Sequence, residues 1–108
     1  MALYKLNGAN FMYGAIMYNT TTGTTRAYPF FTSRSNFAVN YLSQNAADNN
    51  WLVMPGFKLV VFVNANYDGT ATTYDNTNVN QPTLFSASSN TTSIKLYFKN
   101  AELAEPTT

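Results

Sequence analysis

The chain has 108 residues, which is enough for one domain with one hydrophobic core. Its net charge is +1 and 10% of its residues are charged, so it lacks the broad positive field on which general nucleic-acid binding depends. It contains no cysteine and no histidine, which excludes disulfides, thiolate nucleophiles, histidine- or cysteine-based zinc sites and Ser-His-Asp catalysis.

The remaining composition favours strands and turns. Aromatic residues make up 16% of the chain, and asparagine and threonine are abundant. Aromatic and β-branched side chains fit a pleated sheet, whereas asparagine bonds its own backbone in turns. The composition therefore predicts an all-β protein. No apolar run approaches the roughly 20 residues of a membrane span, and the first ten residues lack the apolar centre of a signal peptide. The chain is therefore either cytoplasmic, which we expect, or already processed; if the protein is viral, we expect it in the virion.

Short strand-like segments alternate with turn signals in the first half. Ala2–Leu6 is followed by Asn7-Gly8, a strong hairpin signal that leads into a strand over Phe11–Tyr18. The segment Asn19–Thr25 has no apolar residue, so we expect an exposed loop there. Further strands are predicted at Ala27–Thr32, with Pro29 at an edge or bend, at Asn36–Leu42, and at Trp51–Val53 after the polar run Ser43–Asn50.

The second half begins after a turn at Pro55-Gly56. The run Leu59–Val63 is the most strand-like in the chain and should form a central buried strand. A turn at Asp68-Gly69 and a loop over Asp75–Gln81 then separate further strands, which we place at Thr70–Tyr74, Thr83–Phe85 and Ile94–Phe98. Residues 100–108 can form one helical turn at most and otherwise indicate a polar tail.

The segments FVNANYDG and TSIKLYF carry a recurrent hairpin pattern. Gly69 allows a positive φ, Phe62 and Tyr67 can pack as an aromatic corner, and Ser93 can hydrogen-bond the backbone of the folded hairpin. Together with Asn66, these residues stand at the spacing of the second Greek key in the βγ-crystallin superfamily, which the chain resembles over about residues 51–98. The resemblance implies a single Greek-key β-sandwich over residues 1–99, with a first key over about 1–54 and a second over about 55–99.

Many domains of that superfamily bind calcium through one short polar segment in each Greek key. The corresponding segments here are Asn45–Asn50 and Ser88–Ser93. Calcium takes about six to eight oxygen ligands, several of them anionic, yet Asp48 is the only carboxylate in either segment. Turn capping is therefore the preferred interpretation, and calcium the alternative. The residues that the resemblance offers as metal ligands are Asn45, Asp48, Ser88, Ser89 and Thr92.

A pair of carboxylates is the candidate catalytic arrangement in this chain, because such a pair could support glycoside hydrolysis. Asp68 falls in a predicted turn and Asp75 at a strand end, which are ordinary places for solvated aspartates. Glu102 and Glu105 lie in the predicted tail, where nothing holds them rigid. We therefore predict no catalytic residues and no enzyme activity.

Three hypotheses of function, each from a different class, follow from these observations. The first is a structural or assembly protein, a β-sandwich that contacts larger subunits, for example as a minor component of a virus shell. Low charge together with many aromatic residues is typical of protein interfaces. The alternative is a calcium- or carbohydrate-binding module, in which exposed aromatic rings stack on sugars. A carboxylate enzyme relying on Asp68 and Asp75 is the third hypothesis.

Overall fold

The structure, a computed structural model, describes residues 4–6, 9–11, 13–21, 24–36, 49–86 and 91–105. These residues form strands, turns and bends but no helix, so the predicted all-β class is confirmed. The strands are β1 Tyr4–Leu6, β2 Ala9–Phe11, β3 Ala15–Thr21, β4 Thr24–Phe30, β5 Asn49–Val53, β6 Phe57–Asn64, β7 Asp68–Asp75, β8 Thr83–Ser86, β9 Ser93–Phe98 and β10 Ala101–Glu102.

Two four-stranded antiparallel sheets dominate the molecule, and β1 and β2 form a separate pair. The first sheet has the order β4-β3-β5-β8, and the second has the order β7-β6-β9-β10. Strand β8 comes from the second half of the chain but pairs with β5 in the first sheet. Conversely, Arg34 of the first half forms an antiparallel bridge with Ile94 of β9. Each sheet is therefore extended by a segment from the other half.

One hydrophobic core lies between the two sheets. Along β6, Phe57, Leu59 and Val61 are buried while the residues between them are partly exposed, as the two-residue period of a strand requires. Both sheets contribute to a single buried cluster, so they pack face to face as a β-sandwich. That cluster consists of Ala15, Met17, Phe30, Trp51, Val53, Met54, Phe57, Leu59, Val61, Tyr74, Ile94 and Leu96.

Gly14 packs closely against the opposite sheet. A Cβ atom at this position would lie 2.3 Å from Cδ2 of Phe57 and 2.8 Å from Cδ2 of Leu96. The Gly14 backbone bonds on both sides, because its N–H donates to the carbonyl of Phe30 and its carbonyl accepts from the N–H of Met54. Only a residue without a side chain fits between these groups.

Several predicted strands of the first half begin or end elsewhere. β1 pairs with β2 as the Asn7-Gly8 signal predicts, but the next strand begins at Ala15 instead of continuing from Phe11. The predicted loop Asn19–Thr25 is wrong, because β3 continues to Thr21 and β4 begins at Thr24. Threonine is β-branched, and here its strand preference outweighs its polarity.

Two other predictions in the first half have different outcomes. Pro29 lies in β4, an edge strand, as predicted, although β4 covers Thr24–Phe30 instead of Ala27–Thr32. The predicted strand Asn36–Leu42 lies, apart from Asn36, outside the described residues.

The second half agrees more closely with its prediction. Strand β6 is central, with one face buried in the core, and β8 and β9 form where strands were expected. The turn, however, lies at Ala65–Tyr67 and not at Asp68-Gly69, since β7 already begins at Asp68. Gly69 instead has φ +86° within β7, where the pairing register with β6 shifts. This is the signature of a β-bulge, which a glycine accommodates without strain.

The predicted tail is wrong over residues 101–105, which dock on the second sheet. β10 pairs with Phe98 and Tyr97 of β9, and the N–H of Leu103 donates to the carbonyl of Leu96 over 2.8 Å. The carbonyl of Leu103 in turn accepts from the N–H of Ser33 over 2.7 Å. These bonds use backbone groups only, so the polar side chains of this segment gave no sign of them.

Candidate functional site

The hairpin between β6 and β7 is folded onto the second sheet and held by Ser93. Asn66 and Tyr67 both have φ 59°, a left-handed conformation that is costly for tyrosine. The N–H of Tyr67 donates to Oγ of Ser93 over 3.0 Å, and that hydroxyl donates to the carbonyl of Asn64 over 2.6 Å. The predicted hydrogen bond from Ser93 to the hairpin is therefore present.

Neighbouring backbone contacts fasten the same hairpin from both sides. The N–H of Asn66 donates to the carbonyl of Ser35 over 2.8 Å, and Oγ1 of Thr92 donates to the carbonyl of Val63 over 2.8 Å. The rings of Phe62 and Tyr67 pack edge to face with centroids 5.9 Å apart, which is the predicted aromatic corner. The structure thus brings Phe62, Tyr67 and Ser93 into contact, whereas Asn66 binds Ser35 and Gly69 forms the bulge.

The outer face of the second sheet is aromatic and charged. Nζ of Lys95 lies 5.0 Å from the ring centroid of Tyr67, and Nζ of Lys58 lies 4.8 Å from that of Tyr97. These are cation-π distances. Lys58 also stands opposite Asp75 of β7 in the pairing register. We call this surface, with Phe62, Lys58, Tyr67, Lys95 and Tyr97, the charged face.

Two glutamates are fixed beside the charged face, contrary to the expectation that nothing holds them. Oε2 of Glu102 accepts a hydrogen bond from Oγ of Ser33 over 3.1 Å. Oε1 of Glu105 accepts one from the N–H of Ser35 over 3.1 Å, and Oε2 of Glu105 lies 3.6 Å from Nε of Arg34. The two glutamates therefore fasten the C-terminal segment to residues 33–35.

The pKa of Tyr67 is raised because its hydroxyl is partly buried and because Glu105 and Glu102 lie nearby. All three effects disfavour the phenolate. The charged face therefore keeps Tyr67 neutral, as a hydrogen-bonding and packing group.

The two aspartates of the carboxylate hypothesis lie far apart. Asp68 and Asp75 are the first and last residues of β7, and seven strand residues span about 23 Å. Retaining and inverting glycosidases need carboxyls within about 5 to 10 Å of each other. The nearby hydroxyl of Thr77 and the N–H of Thr77, which donates to Oδ1 of Asp75 over 2.9 Å, lower the pKa of Asp75, with a smaller contribution from Lys58. Asp75 thus acts as a turn-capping carboxylate at the end of β7.

Four of the five candidate calcium ligands lie outside the residues that the structure describes, namely Asn45, Asp48, Ser88 and Ser89. Thr92 is described and buried, and its hydroxyl donates to the hairpin as given above. Within the described ranges, no group of three or more acidic, histidine or cysteine side chains could hold a metal ion.

The outer face of the first sheet is apolar, in contrast to that of the second. Pro29, Ile16, Leu52 and Leu84 stand opposite one another in the pairing register of β4, β3, β5 and β8. They alternate with the buried residues of these strands and so lie on the opposite face of the sheet. Pro29 and Leu84 are exposed, whereas Ile16 and Leu52 are partly buried and Leu52 also contacts the core cluster. Leu84 is 61% exposed. We call this cross-strand line the apolar row.

The neighbouring cross-strand line on the same outer face is uncharged as well. It consists of Ala27, Tyr18, Asn50 and Ser86. All of these side chains are partly or fully exposed. Among the described side chains of these two lines there is no lysine, arginine, aspartate or glutamate.

Sequence reasoning missed Asn76, which is 1% exposed and joins the two sheets. Its Nδ2 donates to the carbonyls of Val53 and Gln81, each over 3.0 Å, and its Oδ1 accepts from Oγ1 of Thr83 over 2.8 Å. Its N–H also donates to the carbonyl of Phe57 over 2.9 Å. Asn76 lies in the polar segment DNTNVNQ, where nothing distinguishes it from the other asparagines.

Comparison of the chain with protein-family models, with curated proteins and with solved structures finds no match in any of the three. A search of the described residues for a helix long and apolar enough to cross a membrane also finds none.

Proposed function

We propose that this protein is a non-enzymatic assembly component, a β-sandwich building block that contacts a larger protein subunit through the outer face of its first sheet. The apolar row is the observation that carries the proposal. A cross-strand line of four apolar residues whose two end members, Pro29 and Leu84, are exposed is costly to leave in water.

The surroundings of the apolar row support a protein partner. Interfaces are depleted in charged residues at their centre and enriched in aromatic residues. The neighbouring line offers Tyr18, Asn50 and Ser86, whose hydroxyl and amide groups can form the hydrogen bonds of an interface rim. A low overall charge supports a closely packed particle, such as a virus shell, as the setting.

The described carboxylates favour a structural role over a catalytic one. Glu102 and Glu105 each accept a hydrogen bond that fastens the C-terminal segment to residues 33–35, and Asp75 accepts one from Thr77 that caps a turn. The resemblance of the hairpin pattern to the βγ-crystallin superfamily adds weight to a rigid scaffold, since Ser93 and Tyr67 fix the hairpin as that pattern requires.

Site-specific photo-cross-linking tests the proposal. A photoreactive amino acid replaces Leu84 in the apolar row or, as the control, Thr73, an exposed residue of β7 in the second sheet. Both variants are made in the cells that normally produce the protein and are then irradiated. We expect a protein adduct of defined mass from position 84 and none from position 73. Identical adducts from both positions, or none from either, would count against the proposal.

A second candidate function is favoured by the charged face. The partly exposed rings of Phe62, Tyr67 and Tyr97 on one sheet surface are suited to stacking on a sugar, so the charged face is a candidate carbohydrate site. Calorimetric titration with a panel of glycans, repeated with Tyr97→Ala, tests this function. The same titration with calcium chloride tests the calcium alternative. Binding heat that Tyr97→Ala abolishes would support the carbohydrate site.

A further inference from the structure

Four strands lie at the edges of the two sheets, and three of them are protected against pairing with another chain. Edge strands expose unpaired backbone groups, and proteins protect them with charges, prolines, bulges or short length. β4 contains Arg26 and Pro29, and β7 has a bulge and is bounded by Asp68 and Asp75. β10 is only two residues long. β8, with the sequence Thr-Leu-Phe-Ser, has none of these features except its modest length.

In the second sheet, residues 33–35 lie beside β9, just as β8 lies beside β5 in the first sheet. The outer edge of residues 33–35 is covered by the C-terminal segment. Their outward backbone groups are occupied, because the N–H of Ser33 donates to Leu103 and the N–H of Ser35 donates to Glu105. For β8, by contrast, no strand or backbone hydrogen bond covers the outer edge within the described residues. Among the described residues, one of the two related edges is therefore covered and the other is open.

β8 is anchored by contacts with β7 and with the loop that follows β7. The hydroxyl of Thr83 donates to Asn76, which is itself bonded to the carbonyl of Val53 in β5. The ring of Phe85 packs on that of Tyr74 with centroids 5.0 Å apart. A strand that is already ordered loses little conformational entropy on pairing.

We propose that β8 of one chain pairs antiparallel with β8 of a second copy, about a two-fold axis at Leu84. Directly opposite residues of an antiparallel pair lie on the same face, so Leu84 opposite Leu84 of the second copy keeps the outer faces of both first sheets on one side. The two sheets then join into one, and the two apolar rows become a single line. This inference rests on the proposed assembly function and identifies the first partner as another copy of the chain.

A second copy fits this edge for two reasons. An antiparallel pair of identical strands is self-complementary about a two-fold axis, which is the symmetry of most homodimers. No charged residue of β8 faces its own copy across that axis, so there is no like-charge repulsion. A contact between four-residue strands is small, so we expect weak, concentration-dependent association.

Sedimentation tests the association. The wild-type chain is compared with Leu84→Lys, which places two like charges at the axis, and with Thr73→Lys, which adds the same charge on β7. Leu84 is 61% exposed, so the lysine should not disturb the fold, and circular dichroism and melting temperature verify this. We expect the weight-average mass of the wild type and of Thr73→Lys to rise with concentration towards the dimer. Leu84→Lys should stay monomeric.

Disulfide trapping tests the position of the axis. The chain has no cysteine, so a single introduced cysteine can pair only with its copy in another molecule. Opposite Cβ atoms in an antiparallel pair lie about 4.5–5.5 Å apart, close to the distance a disulfide needs. We expect Leu84→Cys to form a covalent dimer in a glutathione redox buffer, at concentrations where Thr73→Cys remains monomeric.

The outcomes separate this inference from the function on which it rests. A wild-type chain that stays monomeric to about millimolar concentration, or equal trapping of Leu84→Cys and Thr73→Cys, would overturn the β8 pairing. If position 84 still cross-links to a different protein in cells, the assembly function stands without it. Growth beyond a dimer would overturn the two-fold arrangement, because a closed two-fold contact cannot propagate.

Discussion

The two sheets of this sandwich share one core but have different outer faces. The second sheet presents lysines, tyrosines and carboxylates that pair with one another, and its edge beside β9 is closed by residues 33–35 and the C-terminal segment. The first sheet presents an uncharged apolar row, and its edge at β8 is open within the described residues. Under the proposed assembly function, the first sheet faces the protein partner and the second sheet remains in contact with water.

The largest expected effect concerns the anchoring of the open edge. Asn76→Ala removes two donated hydrogen bonds and one accepted bond in a buried position and leaves their partners in Val53 and Thr83 unsatisfied. We expect a loss of about 3 kcal/mol in the free energy of unfolding, measured by urea denaturation. Asn78→Ala, in the exposed part of the same loop, is the control and should change stability by less than about 0.5 kcal/mol. Equal losses would mean that Asn76 does not anchor β8.

The next effect concerns the hairpin folded onto the charged face. Ser93→Ala removes the acceptor of the Tyr67 N–H and the donor to the carbonyl of Asn64, at a fully buried position. We expect a loss of about 2 kcal/mol on urea denaturation. Ser86→Ala, an exposed serine of β8, should leave stability unchanged in dilute solution. A Ser93→Ala protein as stable as the wild type would show that the hairpin is held by other contacts.

A smaller effect should follow from uncovering the closed edge. Glu105→Ala removes the acceptor of the Ser35 N–H and the neighbour of Arg34. We expect a loss of about 1 kcal/mol or less, because the ion pair is partly exposed, together with faster hydrogen exchange at the Ser35 amide. Glu105→Gln keeps an acceptor but loses the charge, so it should retain most of the amide protection. Loss of protection in both variants would assign the effect to the charge and not to the hydrogen bond.

The smallest effect is confined to alkaline pH. Since the pKa of Tyr67 is raised in the folded protein, the unfolded chain releases this proton first as the pH rises through about 10. Stability should therefore fall from that pH upward until the folded Tyr67 also ionises. Tyr67→Phe should lack this part of the loss, whereas Tyr97→Phe, the control, retains it. Urea denaturation at pH 7 and at stepwise higher pH checks this, and parallel curves for wild type and Tyr67→Phe would contradict it.

The sequence predicted best those parts of the fold whose pattern is local. The burial of one face of β6 follows from its apolar run. The hydrogen bond of Ser93 to Tyr67, 26 residues away in the chain, was expected instead from the resemblance to the βγ-crystallin pattern. Strand β3 was harder to predict because its last residues are polar threonines, and their pairing with β4 depends on the neighbouring strand more than on their own character.

The parts that could not be predicted depend on distant partners. Ser33 and Glu102 are 69 residues apart in the chain, and no short-range pattern links them. The apolar row takes one residue from each of four strands, so it becomes visible only once the pairing register is known. Single apolar residues in separate strands are ordinary in a sequence, whereas their alignment across a sheet is informative.

The exchange of segments between the two sheets also governs how the chain must fold. β8, the outer neighbour of β5, lies after the midpoint of the chain at Pro55-Gly56. Arg34, which forms a bridge with β9, lies before that midpoint. A fragment ending at the midpoint would lack β8, and its complement would lack Arg34. Folding should therefore be all-or-none and comparatively slow, because the ends of long loops must meet before either layer is complete. Fragments produced by a cut at the midpoint should regain structure only when mixed.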